Sequence, residues 1–159
     1  TGATSGKLRG RDRVLPGGFG YAAGTSGAHA IVAVVVVNPL GYVIDEDGRV
    51  VGAEEDFDPG AEAGAMPGAP PLGTNTTLAA VITDAPFPRE ALGVVARMAS
   101  AALARRITPA FTPFDGDIVF SLSTAPDDAP VEPADVARHG AAACAVLEAA
   151  ILDAVREAG

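Results

Sequence analysis

The sequence predicts a layered α+β (α/β layered) domain, and three observations predict it. Residues 29–37 (HAIVAVVVV) form a continuous β-branched run of strand length. Two further strand-like runs follow at 76–83 (TTLAAVIT) and 118–124 (IVFSLST). Between and after these, apolar residues recur at helical spacing. Leu92, Val95, Ala96, Ala99 and Leu103 form one stripe, and Val136, Gly140, Ala143, Leu147, Ile151 and Val155 form another. The order is strand-rich segment, linker, strand, helix, strand, helix, which suits helices laid on a sheet.

Each element has a local reason. Residues 1–28 are rich in Gly, Ser and Thr and read as a loop able to approach a ligand closely. The run 29–37 reads as a strand buried on both faces. Asn38-Pro39-Leu40-Gly41 is a turn. A short hairpin is expected from 42–44 and 49–51, joined by Asp45-Glu46-Asp47-Gly48 with its Asp-Gly turn signal. Residues 53–74 are dominated by Gly, Pro, Ala and acids and read as an exposed flexible linker. Pro88 opens a helix that runs to about residue 106, and Pro133 opens a second that runs nearly to 159.

A chain of 159 residues with 48% hydrophobic content supports one domain with a real core. A net charge of -9 argues against nucleic acid, which demands a basic face. Cys144 is the single cysteine, so no intrachain disulfide can form, and in its Ala-rich helix it reads as a small buried residue. A reducing, cytoplasmic setting fits. The longest strongly apolar run, 31–37, is far short of a membrane span, and no signal peptide opens the chain. Thr1 begins a Gly-rich stretch (TGATSGKLRG), which reads as the end of a processed product or fragment. His29 and His139 fall on a strand and a helix with no metal-type partner close in sequence, so neither a metal nor any other cofactor is expected. The GxSxG, HExxH, P-loop and GxGxxG patterns are absent.

What remains is a threonine, a lysine, an asparagine and two aspartates. An N-terminal threonine combines a hydroxyl nucleophile with an α-amine that can serve as its general base. The reference pKa of that amine is about 7.7–8.0, so a useful fraction is neutral near neutrality. Making such a residue from an internal one requires cutting the bond before it. Thr76 follows the linker and begins a strand, so a cut at Asn75–Thr76 would sever the linker and spare the core. Taken singly, Thr76 is a strand-starting threonine, Lys7 a loop charge, Asn38 a turn former, and Asp115-Gly116-Asp117 a turn. Their ordered co-occurrence carries the functional reading.

The segments TGATSGKLRG, VVVVNPLGYVIDEDGRVV, GTNTTLAAVITDAPF and ARRITPAFTPFDGDIVFSLST, in this order, resemble the self-processing superfamily of L-aminopeptidase/D-amidase-esterases, β-aminopeptidases and nylon-oligomer (6-aminohexanoate) hydrolases. The resemblance covers essentially this whole chain but only about the C-terminal half of a family member. It implies an αββα-type sandwich completed by an N-terminal part of the same protein, which becomes a partner after cleavage. Residues 1–75 would be the end of an α-subunit and 76–159 the β-subunit. The family cuts before Ser or Thr in a Gly-Asn-Ser/Thr motif, which implies Asn75–Thr76 as the cut and Thr76 as the mature nucleophile. Lys7 would lie near the nucleophile's amine. The Asn38 side-chain amide would stabilise the oxyanion. Asp115 and Asp117 would orient the amine and the lysine.

Three departures qualify the match: Thr74 stands between Gly73 and Asn75, Asp115 replaces the Ser of the aminopeptidase branches, and Phe111 replaces a His before Thr112. Asp115 brings the loop closer to the nylon-oligomer branch. The resemblance implies an amidohydrolase acting on small peptides, amino-acid amides or ω-amino-acid oligomers, in a tetramer-like homo-oligomer. The alternatives are an acyltransferase related to ornithine acetyltransferase, whose cut site instead resembles Met-Ala-Thr-Met-Leu, and a non-catalytic binding member of the fold.

Overall fold

The computed structural model describes residues 2–10, 13–54, 58–64, 74–126 and 130–156. Strands β1 (Thr4–Ser5), β2 (Leu15–Pro16), β3 (Gly18–Ser26), β4 (His29–Asn38) and β5 (Tyr42–Val43) come first, with a 3-10 turn at Lys7–Arg9. Helix α1 (Pro59–Gly64), strand β6 (Thr76–Thr83), helices α2 (Arg89–Ala99) and α3 (Ala101–Arg106), strands β7 (Ile107–Thr108) and β8 (Ile118–Ser123), and helix α4 (Pro133–Arg156) follow. The α+β class predicted from the residue pattern is the observed one.

The main sheet has the order β3-β4-β6-β8. β3 and β4 form a hairpin joined by Gly27-Ala28, where Gly27 takes φ 61, the left-handed angle a two-residue hairpin turn requires. β6 runs antiparallel to β4 and parallel to β8. Helices α2 and α4 cover one face. Along β4 the residues on that face, Ile31, Ala33, Val35 and Val37, are buried. So are all six residues of the α4 stripe, from Val136 to Val155. Val95, Ala99 and Leu103 of the first helical stripe are buried with them, and Cys144 is buried as expected.

The opposite sheet face is apolar and open. Phe19, Val36, Leu78 and Ile118 are paired in one row across all four strands, and each is at least 40% exposed. Tyr21, Val34, Ala80 and Phe120 form the next row, and Val32, Ile82 and Leu122 the one beyond. The strand at 29–37 is therefore covered on one face rather than both, because among the described residues nothing packs on the second. An apolar surface of this continuity is what a second layer buries.

Four further expectations change. Residues 1–28 hold β3 rather than a loop only: a Cβ at Gly20 would lie 2.3 Å from the Ala150 carbonyl oxygen. The glycines that read as loop formers let α4 approach the strand backbone. The hairpin of 42–44 with 49–51 is present but short: Val51 N–H donates to the Val43 carbonyl and Asp45 N–H to the Arg49 carbonyl, both at 2.9 Å, on either side of the Ile44–Val50 bridge, and β5 gains a second partner in β7. The Asp45 carboxylate accepts the Asp47 and Arg49 N–H groups at 2.9 and 2.8 Å, closing the tight turn between the two short arms. The single helix from Pro88 breaks at Ser100, whose hydroxyl donates to the Arg97 carbonyl at 2.7 Å and competes with the helical ladder. Within the linker, α1 forms where Asp58 Oδ1 accepts the Gly60 N–H at 2.8 Å, with Pro59 at the first helical position. Residues 55–57 and 65–73 of that linker, together with Thr1, lie outside the described residues.

His139 is almost wholly buried on α4, its ring edge-on to Phe87 with centroids 4.9 Å apart and its Nε2 without a partner among the described residues. Burial holds its pKa below the ordinary 6.5, with the nearby His29 acting in the same direction and Asp84 opposing. A base with a depressed folded pKa contributes stability that is present above its unfolded pKa and lost as pH falls through the folded one. Urea midpoints should therefore fall between pH 7 and pH 5, and His139→Leu should shrink that fall. An unchanged pH dependence in the variant would remove His139 as its source.

Candidate active site

The sheet register gathers the predicted residues at one end. Asn38, the last residue of β4, is the cross-strand partner of Thr76, the first of β6. Asn75 forms a parallel bridge with Asp115, which extends the β6–β8 pairing backwards into the 109–117 loop. The 3-10 turn carrying Lys7 lies against the 38–41 turn: Gly6 N–H donates to the Gly41 carbonyl at 2.7 Å and Lys7 N–H to the Leu40 carbonyl at 2.9 Å. Gly6 is needed there. Its φ is 67, and a Cβ would lie 2.5 Å from the Tyr42 ring.

The Lys7 ammonium donates to the Asn38 carbonyl at 2.8 Å, the Asn38 Oδ1 at 3.0 Å and the Pro39 carbonyl at 2.9 Å. Thr4 N–H adds a second bond to Asn38 Oδ1 at 3.1 Å. Two donors on Oδ1 fix the orientation of the amide, so its N–H₂ group points the other way. There Nδ2 donates to the Thr74 carbonyl at 3.1 Å.

At the 75–76 junction, the Thr76 hydroxyl donates to the carbonyl oxygen of the residue before it, Asn75, at 2.5 Å. The same oxygen accepts the Gly116 N–H at 3.0 Å. Asn75 is buried, and its side-chain Oδ1 has no partner among the described residues. An orphaned buried acceptor of this kind costs about 1–3 kcal/mol.

The two acids shape the loop. Asp115 accepts the Leu40 N–H at 3.0 Å on one oxygen and the Thr112 hydroxyl at 2.5 Å on the other. Asp117 accepts the Thr77 N–H at 2.7 Å and the Phe111 N–H at 3.1 Å. Phe111 is held at φ 55, an angle that is rare for a bulky residue. Burial raises the Asp117 pKa first, and the charge of Asp115 adds to it, while the two backbone N–H bonds pull the other way.

All of Lys7, Asn38, Asn75, Thr76, Asp115 and Asp117 thus meet at this end of the sheet. The ammonium sits on the carbonyls of the 38–39 turn, and the carboxylates hold the loop and the first N–H after Thr76. Sequence reasoning missed Thr112, Thr4 and Gly116. The Thr-x-x-Asp spacing of Thr112 and Asp115 is a turn signal that could have found the first. The other two act through backbone N–H groups, which leave no mark on residue identity. Among the described residues no group of three or more His, Cys, Asp or Glu side chains is placed to hold a metal, and no helix is long and apolar enough to cross a membrane.

Residues 6–159 match the model of peptidase family S58. The chain is 31% identical to the 6-aminohexanoate-oligomer endohydrolase of Paenarthrobacter ureafaciens, over 93% of this chain and 46% of that protein. It is 38% identical to an uncharacterized aminopeptidase of Mycobacterium leprae, over 91% of this chain and 46% of that one. Among solved structures, the L-aminopeptidase D-Ala-esterase/amidase of Ochrobactrum anthropi, an Ntn-hydrolase-fold variant, superposes with a TM-score of 0.64 at 24% identity. The alignment covers 97% of this chain and 42% of that structure. The chain therefore spans about half the length of the relatives it matches. A family match over nearly every residue, with the same fold beneath it, settles the assignment: the chain belongs to peptidase family S58.

Proposed function

We propose that the protein cuts itself between Asn75 and Thr76, and that Thr76, then N-terminal, hydrolyses amide bonds through an acyl-enzyme. The observation that carries this reading is the Thr76 hydroxyl resting 2.5 Å from the Asn75 carbonyl oxygen, at a strand end ringed by Lys7, Asn38, Asp115 and Asp117. A hydroxyl so close to its own preceding carbonyl is positioned for the N-to-O acyl shift that opens self-cleavage.

The ladders of β6 with β4 and β8 do not depend on the 75–76 bond, and the Asp117 bond to Thr77 N–H anchors the first peptide of the new terminus. After the cut, the Thr76 amine takes the hydroxyl proton as the hydroxyl attacks a substrate carbonyl. The Asn38 amide, oriented by Lys7 and Thr4, faces the ground vacated by Thr74 and there stabilises the oxyanion. The substrate class is small peptides, amino-acid amides or ω-amino-acid oligomers, supported by the names of the relatives and by Asp115 in the loop. The open sheet face is covered, in this reading, by the part of the protein that this chain lacks.

Full-length protein should resolve into two pieces, the second beginning Thr-Thr-Leu-Ala-Ala, and the cut form should release product from an alanine amide, a β-alanyl dipeptide or a 6-aminohexanoate oligomer. Turnover by a chain that stays intact would sink the N-terminal-nucleophile reading. Asn38→Ala should lower kcat by about 10²–10³ per mole of cut enzyme, the cost of one oxyanion donor. An unchanged kcat would remove Asn38 from that role.

A further inference from the structure

We infer that the backbone N–H of Gly116 is the oxyanion donor for the self-cleavage step, and that this position requires glycine because the Thr76 hydroxyl occupies the space of its Cβ. The inference rests on the self-cleavage reading above and assigns one of its parts.

Asn38 was the expected oxyanion donor, yet in the uncut chain its amide donates to the Thr74 carbonyl, one peptide before the bond to be cut. The carbonyl that Thr76 must attack is held by Gly116 N–H at 3.0 Å. That bond is also a ladder step, since Asn75 and Asp115 form a parallel bridge beside it. A ladder step alone would tolerate any residue at 116. This one crowds the nucleophile: a Cβ on Gly116 would stand 2.9 Å from Thr76 Oγ1, which would have to shift aside, and 3.9 Å from the Asn75 carbonyl oxygen. The donor and the nucleophile thus converge on the same carbonyl, and the missing side chain is what lets them. Asp115 and Asp117 fix the peptide between them by bonds to Leu40, Thr112, Thr77 and Phe111, so the N–H is held in place before the reaction begins.

In the step itself, Thr76 Oγ forms a bond to the Asn75 carbonyl carbon, and the carbonyl electron pair moves onto the oxygen that Gly116 N–H holds. Collapse of that oxyanion breaks the bond from the Asn75 carbon to the Thr76 nitrogen. The hydroxyl proton passes to that nitrogen, leaving an ester and a free amine. Water then adds its hydroxyl to the Asn75 carbon, the ester bond from that carbon to Thr76 Oγ breaks, and the remaining hydrogen goes to Oγ, which leaves an Asn75 carboxyl and restores the threonine. A donor aimed at the developing charge is worth about 10²–10³ in rate.

The test uses full-length protein in four forms: native, Thr76→Ala, Gly116→Ala, and a semisynthetic chain with glycolate in place of Gly116, which exchanges the N–H for an ester oxygen. Cleavage is followed by intact mass, and folding by thermal melting. The expected result is a roughly 10²–10³-fold slower cut in the ester chain, and a cut slowed at least about tenfold in Gly116→Ala by crowding of the hydroxyl, with both forms melting cooperatively. An ester chain that folds and cuts at the native rate would overturn the donor role while leaving Thr76 as nucleophile. A native rate in Gly116→Ala would overturn the requirement for glycine. A native chain that never cuts, or a Thr76→Ala chain that does, would instead bring down the self-cleavage reading and this inference with it.

Discussion

Replacing Thr76 by alanine is expected to leave the full-length protein as a single uncut mass, slowing cleavage by roughly 10⁴ or more, as loss of the nucleophile does in acyl-transfer enzymes. The fold should not notice. Thr76 is only half-buried, its pairing with Asn38 is made by backbone, and its hydroxyl bond to Asn75 is local. Surface-type substitutions of this kind change stability by less than about 0.5 kcal/mol. Thr76→Ser keeps the hydroxyl and should still cut, more slowly, because loss of the methyl frees the side-chain rotamer that points Oγ at the carbonyl. In the cut enzyme the base is the Thr76 amine, so kcat/KM should rise with pH as that amine deprotonates, near its reference value of about 7.7–8.0. Mass analysis and a pH–rate profile check both. Cleavage persisting in Thr76→Ala would assign the reaction to another group or a contaminating protease, and a profile flat from pH 6 to 9 would remove the amine as base.

The pattern-bearing parts of the molecule were legible in the sequence. The 29–37 run and the 76–83 and 118–124 strands declare themselves by their β-branched and apolar content, and the α4 stripe by its helical period. β3 was hidden because its glycines mimic a loop, and only the presence of α4 turns Gly20 and Gly24 into contact residues. The β5–β7 pair was hidden because two-residue strands carry no period to detect. The site followed the same division. The site side chains could be named in advance because the resemblance carries them, and strand register then sets Asn38 opposite Thr76. The orientation of the Asn38 amide, the seat of Lys7 on the 38–39 carbonyls and the Gly116 N–H depend on backbone geometry that no residue type announces.

The same backbone geometry makes two chemically identical substitutions in β3 diverge. Gly20→Ala is expected to destabilise the protein by about 3 kcal/mol, while Gly24→Ala costs less than about 1 kcal/mol. In a strand interior, alanine should help slightly at either site, since glycine loses more backbone freedom on folding. The neighbour decides the sign. At Gly20 the new carbon would lie 2.3 Å from the Ala150 carbonyl oxygen and 2.4 Å from the Ala154 nitrogen, both in the backbone of α4. A helix backbone cannot rotate away, so α4 itself must lift off the sheet. That opens the seam around Ala150, Ile151 and Ala154, all now buried, and loosens packing at native density. At Gly24 the closest atom is Val146 Cγ2 at 2.7 Å, the end of a side chain that can adopt another rotamer on a half-buried part of α4. Urea unfolding of the full-length protein, in a Thr76→Ala background so that every sample has the same uncut chain, measures both costs. Equal losses at the two sites would mean that α4 does not rest on the β3 backbone as closely as its glycines imply.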